Sequence, residues 1–349
     1  MRALTVVPNQ PGSLSIEDVP DPVPGPNELL VDGISLGICG TDREIASGEY
    51  GWAPPGRDRL ILGHESLGRV RTAPDGSGFA AGDLVVGIVR RPDPVPCGAC
   101  ARGEFDMCRN GDYVERGIKQ IDGFGSSEWV VPVDYAVQLD PSLAQVGVLM
   151  EPTTVVAKAW DQIEKINGRA WFDPKTVLIT GAGPIGLLAA MLGAQRGLDV
   201  HVLDRSTEGP KPGLVADLGG TFHTGSAADV AEKIHADVVI EATGAPAVAL
   251  QAAEINHPGV IVCLTGVSSP GNAASVDVGA LNRNIVLDNA VVFGSVNANR
   301  HHYELAAEAL AKADPEWLGR LITRRLPLER ALEAFAPGDH SDIKVVINL

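Results

Sequence analysis

Three of the five cysteines lie close together in the sequence and could bind a metal ion. Cys97 and Cys100 form a Cys-x2-Cys pair, and Cys108 follows after seven intervening residues. In a chain with an odd number of cysteines, this spacing is typical of a tetrahedral structural zinc, which closes a loop that has no core of its own. For the missing fourth ligand we expect Asp112, with Asp93 as the reserve. A metal-free loop is the alternative.

A second motif, TVLITGAGPIGLLAA, could hold the pyrophosphate of a dinucleotide. Gly181, Gly183 and Gly186 form a G-x-G-x-x-G pattern with Pro184 and Ile185, directly after a predicted strand and at the start of a predicted helix. The first glycine makes a tight turn, the second admits the pyrophosphate, and the third lets the helix pack on the strand. The helix N-terminus attracts the phosphate charge. The motif therefore predicts a nicotinamide dinucleotide cofactor.

Two residues at the end of the next predicted strand bear on the choice between NAD and NADP. Asp204 can accept hydrogen bonds from the adenosine ribose hydroxyls and repels a 2′-phosphate, whereas Arg205 can bind that phosphate. We expect the carboxylate to prevail, so that NAD is favoured and NADP is also used. An ordinary turn residue is the alternative for Asp204. Thr243, in the segment EATG, is a further candidate for cofactor binding.

Two other potential metal ligands are ambiguous when taken alone. His64 and Glu65 are adjacent in the apolar run LGHESLGRV, and adjacent strand residues point to opposite faces. This pattern also suits a solvated edge strand or a buried, hydrogen-bonded histidine. Cys39, in GICGTD, could simply be a small buried apolar residue.

The elements that must position these residues change in type near residue 150. Residues 1 to about 150 contain short strand-like runs separated by segments rich in proline and glycine. From about Glu151, apolar runs such as TVLITG, DVVIEATG and GVIVCLTGV alternate with helical stretches, which is typical of a parallel sheet covered on both faces. We therefore predict an α/β chain with a β-rich domain and a doubly wound parallel-sheet domain.

Length and composition limit the class of protein. A chain of 349 residues is too long for one ordinary core, so two domains are expected. With 28 basic and 44 acidic residues the net charge is −16, which argues against nucleic acid or an anionic membrane as the partner. No apolar run reaches the ~18 residues of a membrane span. The first residues lack the apolar core of a signal peptide, so we expect a cytoplasmic location.

Taken together, the motifs resemble the zinc-dependent medium-chain dehydrogenase/reductase family. GICGTD, GHE, the cysteine-rich loop, MEP and GAGPIG occur in the order and spacing of that family, and the likeness covers essentially the whole chain. VRRP, VERGIKQIDGF, MEPTTVVAKAW and GSVNAN are similar to its glucose 1-dehydrogenase branch. The resemblance implies a GroES-like catalytic domain over residues 1–155, completed by about 300–349, and a Rossmann domain over residues 156–299.

The resemblance also implies a catalytic zinc. Cys39 and His64 match zinc ligands of the family. Glu151 matches the third protein ligand of the sugar and polyol branches, and we also expect it to contact the substrate. Glu65 matches the carboxylate that follows the zinc-binding histidine in this family. That carboxylate can reach the metal, so we expect a catalytic role for Glu65. Such a donor set leaves one position open for substrate or water. With the cysteine loop, two zinc ions per chain are expected.

Further roles near the substrate follow from the same resemblance. Thr41 matches the hydroxyl that hydrogen-bonds the substrate oxygen, and Glu44 matches the outer end of a proton relay. Glu115 matches a sugar-contacting carboxylate, and Asn297 matches a residue near the sugar and the nicotinamide; ordinary surface or strand-end polarity is the alternative for both. Val155 departs from the pattern, because some members place a carboxylate there.

The implied function is zinc-dependent transfer of a hydride from a sugar or polyol hydroxyl to NAD(P), with an aldose such as glucose oxidised at C1 as the favoured case. The nearest alternative is a related zinc dehydrogenase that acts on an aliphatic alcohol, threonine or sorbitol. A zinc-free quinone reductase of the same fold and a zinc-binding Rossmann-type regulator without enzymatic activity are the others. We expect a homo-oligomer, either a dimer or a tetramer.

Overall fold

The computed structural model describes residues 1–269, 271, 275–336 and 342–349. The chain divides into two compact units, one formed by Met1–Glu151 with Ala298–Leu349 and the other by Pro152–Asn297. The domain boundaries given above, 155/156 and about 299/300, stay predictions.

The elements follow one another in this order. The first are β1 (Arg2–Val6), β2 (Ser15–Asp18), β3 (Glu28–Ile38), α1 (Gly40–Ser47), β4 (Leu60–Ile61), β5 (Glu65–Thr72), β6 (Leu84–Gly87), β7 (Arg90–Arg91), β8 (Val114–Arg116), β9 (Gln120–Ile121), β10 (Glu128–Pro132) and β11 (Ala136–Gln138). Next come α2 (Met150–Asn167), β12 (Thr176–Thr180), α3 (Pro184–Gln195), β13 (Asp199–Leu203), α4 (Lys211–Asp217), β14 (Thr221–His223), α5 (Ala227–Ile234), β15 (Val238–Glu241), α6 (Pro246–Glu254), β16 (Ile261–Leu264), α7 (Val278–Leu287) and β17 (Val291–Gly294). The last are α8 (Arg300–Lys312), α9 (Pro315–Leu321), β18 (Ile322–Pro327) and β19 (Lys344–Asn348).

The first unit is built around the long strand β3. This strand pairs antiparallel with β5, β10 and β19, in a sheet of order β11-β6-β5-β3-β19-β18. Leu29, Val31, Leu36 and Ile38 of β3 are buried and join an apolar cluster around Phe124. Alternate residues of a strand face the same side, and the shift in register between Gly33 and Ser35 lets Leu29 and Val31 share one core with Leu36 and Ile38.

The second unit contains a parallel sheet of order β14-β13-β12-β15-β16-β17. Apolar residues of the central strands, including Leu178, Val239 and Val262, pack with residues of α5 and α6 in one buried cluster. The strand order reverses direction at β12, which is the arrangement of a doubly wound sheet. The predicted α/β fold is therefore confirmed.

No helix among the residues described is long and apolar enough to cross a membrane.

A histidine pair on the parallel sheet predicts that the stability of this unit depends on pH. His201 of β13 and His223 of β14 have their Nδ1 and Nε2 atoms 2.8 Å apart. Burial lowers the pKa of His223 from its ordinary value of 6.5, and the nearby His201 and Lys233 act in the same direction. The unfolded chain therefore binds more protons at this position, so the free energy of unfolding should fall as the pH drops below about 6.5.

Urea unfolding of the wild type and of His223→Gln between pH 7.5 and 5.5 measures this effect. The variant should lose less stability over this range, whereas His301→Gln, which changes an exposed histidine of α8, should behave like the wild type. Equal slopes for the wild type and His223→Gln would contradict the prediction.

Candidate active site and metal centres

Three potential zinc ligands meet beside the end of β3. Cys39 follows that strand, His64 immediately precedes β5, and Glu65 is the first residue of β5. Their ligand atoms all lie within 4.8 Å of one another, and Cys39 Sγ is 3.1 Å from His64 Nε2. The strand register brings them together, because Gly37 of β3 pairs with Glu65 of β5. A thiol, an imidazole and a carboxylate form a donor set that suits zinc.

A buried lysine holds Glu65 in this group. Lys344 of β19 is 2% exposed, and its Nζ donates to both carboxylate oxygens of Glu65 at 2.6 and 2.7 Å and to the Ile38 carbonyl at 3.3 Å. A side chain at Gly37 would collide with Glu65 Oε2, so glycine is required opposite the carboxylate. The ion pair offsets the cost of burying a charged Glu65. The sequence alone does not identify Lys344, because nothing in KVVINL indicates that its lysine is buried.

Asp42 contacts two of the potential ligands. It is fully buried in the first turn of α1, and its Oδ2 accepts a hydrogen bond from the Cys39 amide at 2.9 Å. Its Oδ1 lies 3.3 Å from His64 Nδ1, so His64 Nε2 faces Cys39 and is suited to bind a metal. Asp42 is not among the residues predicted from the sequence, although an acidic residue three positions after a helix N-cap is typical of a capping box.

Burial and neighbouring charges control the protonation of this group. Burial raises the pKa of the Cys39 thiol, although the charge of His64 opposes this change. Burial by itself would lower the pKa of His64, but the charges of Asp42 and Cys39 outweigh it and hold the pKa well above its ordinary range. A zinc ion binds a thiolate and a neutral imidazole, so zinc binding here would release protons.

The other predicted members of this site lie outside the group of three. Glu151 is the second residue of α2, and its carboxylate is not among the atoms within 4.8 Å that were found in the described part of the chain. Burial raises the pKa of Glu151 to about 7, with the charge of His64 acting against this change. Thr41 is half-buried and Glu44 is exposed, both on α1. The roles of these three residues stay predictions.

The cysteine loop forms a second group of potential ligands. The sulfur atoms of Cys97, Cys100 and Cys108 lie within 4.8 Å of one another. The neighbouring backbone amides of Cys100, Arg109 and Ala99 lower the pKa of the Cys97 thiol to about 6. Of these, the Arg109 amide donates to the Cys97 sulfur at 3.4 Å. Such donors stabilise a thiolate, which is the form that binds zinc. The loop therefore suits a structural zinc.

The two candidates for the fourth ligand of the loop differ in burial. Asp112 is exposed, whereas Asp93 is only 5% exposed. Asp93 Oδ1 accepts from the Val95 amide at 2.8 Å, and its Oδ2 is buried without a hydrogen-bond partner. Neither carboxylate is among the ligand atoms within 4.8 Å of one another that were found in the described part of the chain, so the fourth ligand stays a prediction. The buried oxygen of Asp93 favours Asp93 over Asp112, because an unsatisfied buried carboxylate oxygen is costly.

Substitution of the two aspartates distinguishes these ligands. Asp93→Ala should lose one zinc per chain and lower the Tm by several degrees, whereas Asp112→Ala should keep both the zinc and the Tm. Cys100→Ala provides the reference for a loop that has lost its metal. Elemental analysis and calorimetry of the purified proteins give the result. If Asp112→Ala lost zinc and Asp93→Ala did not, Asp112 would be the fourth ligand, as predicted from the sequence.

The turn between β12 and α3 carries the glycine motif. Gly181 has a φ of 95°, which favours glycine, and a side chain at Gly186 would collide with the Gly181 carbonyl oxygen. Gly183 has open space beside it, and Pro184 and Ile185 form the first turn of α3. No side chain caps this helix, so its first amides are available to a pyrophosphate. The turn therefore fits a dinucleotide.

Asp204 lies next to this turn together with a lysine that the sequence analysis missed. Asp204 Oδ2 accepts from the Ala182 amide at 2.7 Å, and its Oδ1 accepts from the Ser206 amide at 3.0 Å. Lys211 Nζ is 3.4 Å from Oδ2, and Arg205 is exposed. Both carboxylate oxygens are thus bonded to backbone amides, and two cations lie nearby. Lys211 was missed because it follows Asp204 by seven residues, at the start of another helix.

The remaining candidates occupy separate places. Glu115 of β8 is 5% exposed, and its Oε1 accepts from Arg90 Nε at 3.1 Å and Nη2 at 3.0 Å; Arg90 lies 3.8 Å from the centre of the Tyr113 ring. Thr243 follows β15 beside the glycine turn and donates to Glu241. Asn297 follows β17 with a φ of 63°. Contacts of these residues with sugar or cofactor stay predictions.

Two protein families match consecutive parts of the chain. The family described as "Alcohol dehydrogenase GroES-like domain" matches residues 25–141, and the family described as "Glucose dehydrogenase C-terminus" matches residues 144–349. Glucose 1-dehydrogenase of Thermoproteus tenax is 40% identical over 357 residues, which cover 100% of this chain and 99% of the relative. Glucose 1-dehydrogenase of Methanocella arvoryzae is 37% identical over 358 residues, with the same coverage.

A solved structure agrees with these matches. Haloferax mediterranei glucose dehydrogenase, in complex with NADP, Zn and gluconolactone, superposes with a TM-score of 0.91 at 32% identity and covers 100% of this chain and 99% of its own. An alcohol dehydrogenase from Thermotoga maritima has a TM-score of 0.80 at 24% identity, covering 99% of this chain and 98% of its own, and shows the shared fold.

Proposed function

Because this chain belongs to the zinc-dependent medium-chain dehydrogenase/reductase family, in its glucose dehydrogenase branch, we propose that it oxidises an aldose such as glucose at C1 with NAD(P). The family, the GroES-like domain and the zinc-dependent, NAD(P)-linked chemistry predicted from the sequence are confirmed by these matches. The observation that carries the proposal is the group formed by the half-buried Cys39 and the buried His64 and Glu65. A quinone reductase without zinc, or a regulator without activity, leaves this group unexplained.

The residues present fit two zinc ions. Cys39, His64, Glu65 and Glu151 would hold the catalytic ion, because the thiol and the imidazole already face each other and Asp42 leaves His64 Nε2 free to bind. Zinc at this place supplies Lewis acidity, which lowers the pKa of a substrate hydroxyl. The three loop cysteines, with Asp93, would hold the structural ion.

The residues of the chain then orient the sugar and remove its proton. Thr41 lies two positions after Cys39 on α1 and accepts the proton of the C1 hydroxyl, which passes to Glu44 and on to solvent. NAD(P) bound at the glycine turn would supply the acceptor for the hydride of C1, so that an aldose would yield a lactone, one proton and reduced NAD(P). The glycine turn and Thr243 hold the dinucleotide for this transfer.

Initial rates on a panel of substrates test the proposed function. Aldoses, polyols, aliphatic alcohols and threonine should each be measured with NAD and with NADP. We expect the highest kcat/KM with an aldose and a lactone as the product. A higher kcat/KM with sorbitol, threonine or an aliphatic alcohol would favour a related dehydrogenase, and no turnover on the whole panel would contradict an enzymatic role.

The surroundings of Asp204 predict how two substitutions change cofactor use. The preference for NAD stays a prediction. Lys211 Nζ lies 3.4 Å from Asp204 Oδ2, and the exposed Arg205 follows Asp204 in the chain, so two cations are available to bind a 2′-phosphate. Lys211→Met should therefore lower kcat/KM with NADP about tenfold more than with NAD, which corresponds to roughly 1.4 kcal/mol. Asp204→Ala should raise the ratio of kcat/KM with NADP to kcat/KM with NAD, because it removes a negative charge that repels the 2′-phosphate.

Steady-state kinetics with both cofactors at one sugar concentration give these ratios. If Lys211→Met lowered kcat/KM equally with NAD and NADP, this lysine would support the loop structure and would not distinguish NADP from NAD.

We also propose a homo-oligomer, a dimer or a tetramer, in the cytoplasm. Val278, Val286 and Leu287 of α7 are each more than 60% exposed, and β17 lies at the edge of the parallel sheet. Apolar side chains beside an open strand edge favour contact with a second copy. Light scattering of the purified protein measures the state, and a monomer at micromolar concentration would contradict the proposal.

A further inference from the structure

The first unit contains a polar cavity that the proposed mechanism does not use. Its volume is about 510 Å³, within the range of small-molecule sites. None of its lining residues belongs to either zinc group. The polar and aromatic lining residues are Asn9, Gln10, Trp52, Arg57, Asp58 and Gln120.

Trp52 is the aromatic wall of this cavity and is firmly held. Tyr50 packs against it edge to face, with ring centres 5.0 Å apart and an angle of 76°. The Trp52 amide donates to the Ile118 carbonyl at 3.0 Å, and the Gln120 amide donates to the Trp52 carbonyl at 3.0 Å. Even so, 43% of Trp52 is exposed. An ordered indole that stays open to solvent costs little entropy when a ligand packs on it.

The polar residues around Trp52 carry groups that suit a sugar. Gln10, Asp58 and Gln120 are exposed and line the cavity with amides and a carboxylate. The Asn9 side chain donates a hydrogen bond of 3.3 Å to the Gly51 carbonyl, which places a third side-chain amide at the wall. A pyranose ring presents hydroxyl groups at its edge and C–H groups on its faces. Amides and carboxylates can hydrogen-bond the hydroxyl groups, and an indole face can pack against the C–H groups.

The cavity is linked to Glu115, which is predicted to contact the sugar. Glu115 of β8 pairs with Gln120 of β9 in the strand register. The Gln120 amide in turn donates to the Trp52 carbonyl at 3.0 Å. Gln120 therefore joins the aromatic wall of the cavity to Glu115, and a ligand in the cavity would extend outward from a sugar bound at Glu115.

We propose that this cavity binds the second pyranose ring of an oligosaccharide whose terminal aldose is oxidised at C1. The inference rests on the proposed function and names a larger substrate class for the same site. Trp52 supplies the stacking surface, and Gln10, Asp58 and Gln120 supply hydrogen bonds to the ring hydroxyls.

The test compares disaccharides with glucose in the zinc-loaded enzyme. The kcat/KM values for maltose, cellobiose and glucose are measured in the wild type, in Trp52→Ala and in Trp171→Ala, which changes a tryptophan of the other unit that is 91% exposed. The ratio of disaccharide to glucose should fall about two- to tenfold in Trp52→Ala, as expected for one lost aromatic contact. It should not change in Trp171→Ala.

A binding experiment separates this inference from the proposed function. Methyl maltoside cannot be oxidised at C1, because a methyl group blocks its anomeric oxygen, and calorimetry measures its Kd directly. Its Kd should rise in Trp52→Ala by the same factor and stay constant in Trp171→Ala. Unchanged disaccharide ratios and an unchanged Kd in Trp52→Ala would overturn the inference, as would a wild type that oxidises glucose but no disaccharide. If no sugar is oxidised, the proposed function fails and the methyl maltoside titration alone decides whether the cavity binds sugar.

Discussion

Replacing Cys39 by alanine should lower kcat/KM with glucose by about three orders of magnitude or more, because loss of the catalytic zinc removes several kcal/mol of transition-state stabilisation. Cys39 Sγ lies 3.1 Å from His64 Nε2 in the group that would hold the ion. The fold should persist, since Cys39 lies at the start of α1 and is only partly buried. Elemental analysis should show one zinc per chain in place of two.

Cys263→Ala is the matched control for this experiment. Cys263 is a buried thiol of β16 whose pKa is raised to about 12 by burial, and it lies in neither zinc group. It should keep two zinc ions and nearly full activity. Full activity of Cys39→Ala, measured after dialysis against a chelator and reloading with one zinc per chain, would refute the catalytic assignment of Cys39.

Replacing Lys344 by methionine should destabilise the metal-free protein by about 3–5 kcal/mol, because it leaves the carboxylate of Glu65 buried without its cation. Glu65 and Lys344 are both almost fully buried, and their side chains are joined at 2.6 Å. The loss should be smaller in the zinc-loaded protein, since the metal then supplies positive charge beside Glu65. Chemical denaturation with and without zinc measures both values.

Lys175→Met is the matched control for the buried pair. Lys175 and Asp173 are 2.7 Å apart, but their side chains are 73% and 59% exposed. Removal of this exposed pair should cost less than about 1 kcal/mol. The double variant Lys344→Met with Glu65→Gln should recover part of the lost stability, because no unpaired charge then remains. Similar losses in Lys344→Met and Lys175→Met would show that burial does not set the cost.

The sequence determined the features that depend on neighbouring residues. The alternation of apolar runs and helices gave the doubly wound sheet, and the glycine motif after β12 located the turn that fits a dinucleotide. The spacing of Cys97, Cys100 and Cys108 indicated a group that the fold brings within 4.8 Å. In each case the residues lie within one loop or one strand–helix connection, so local geometry is enough to bring them together.

Only the tertiary structure decided which distant residues surround these groups. Lys344 reaches Glu65 across 279 positions, because β19 and β5 both pair with β3. Asp93 is buried and Asp112 is exposed, although each lies four residues from a cysteine of the loop. A local sequence pattern predicts which face of its own helix or strand a side chain lies on. Strand register and burial determine which distant residues that side chain contacts. The partners that set charge and protonation at this site are therefore properties of the fold.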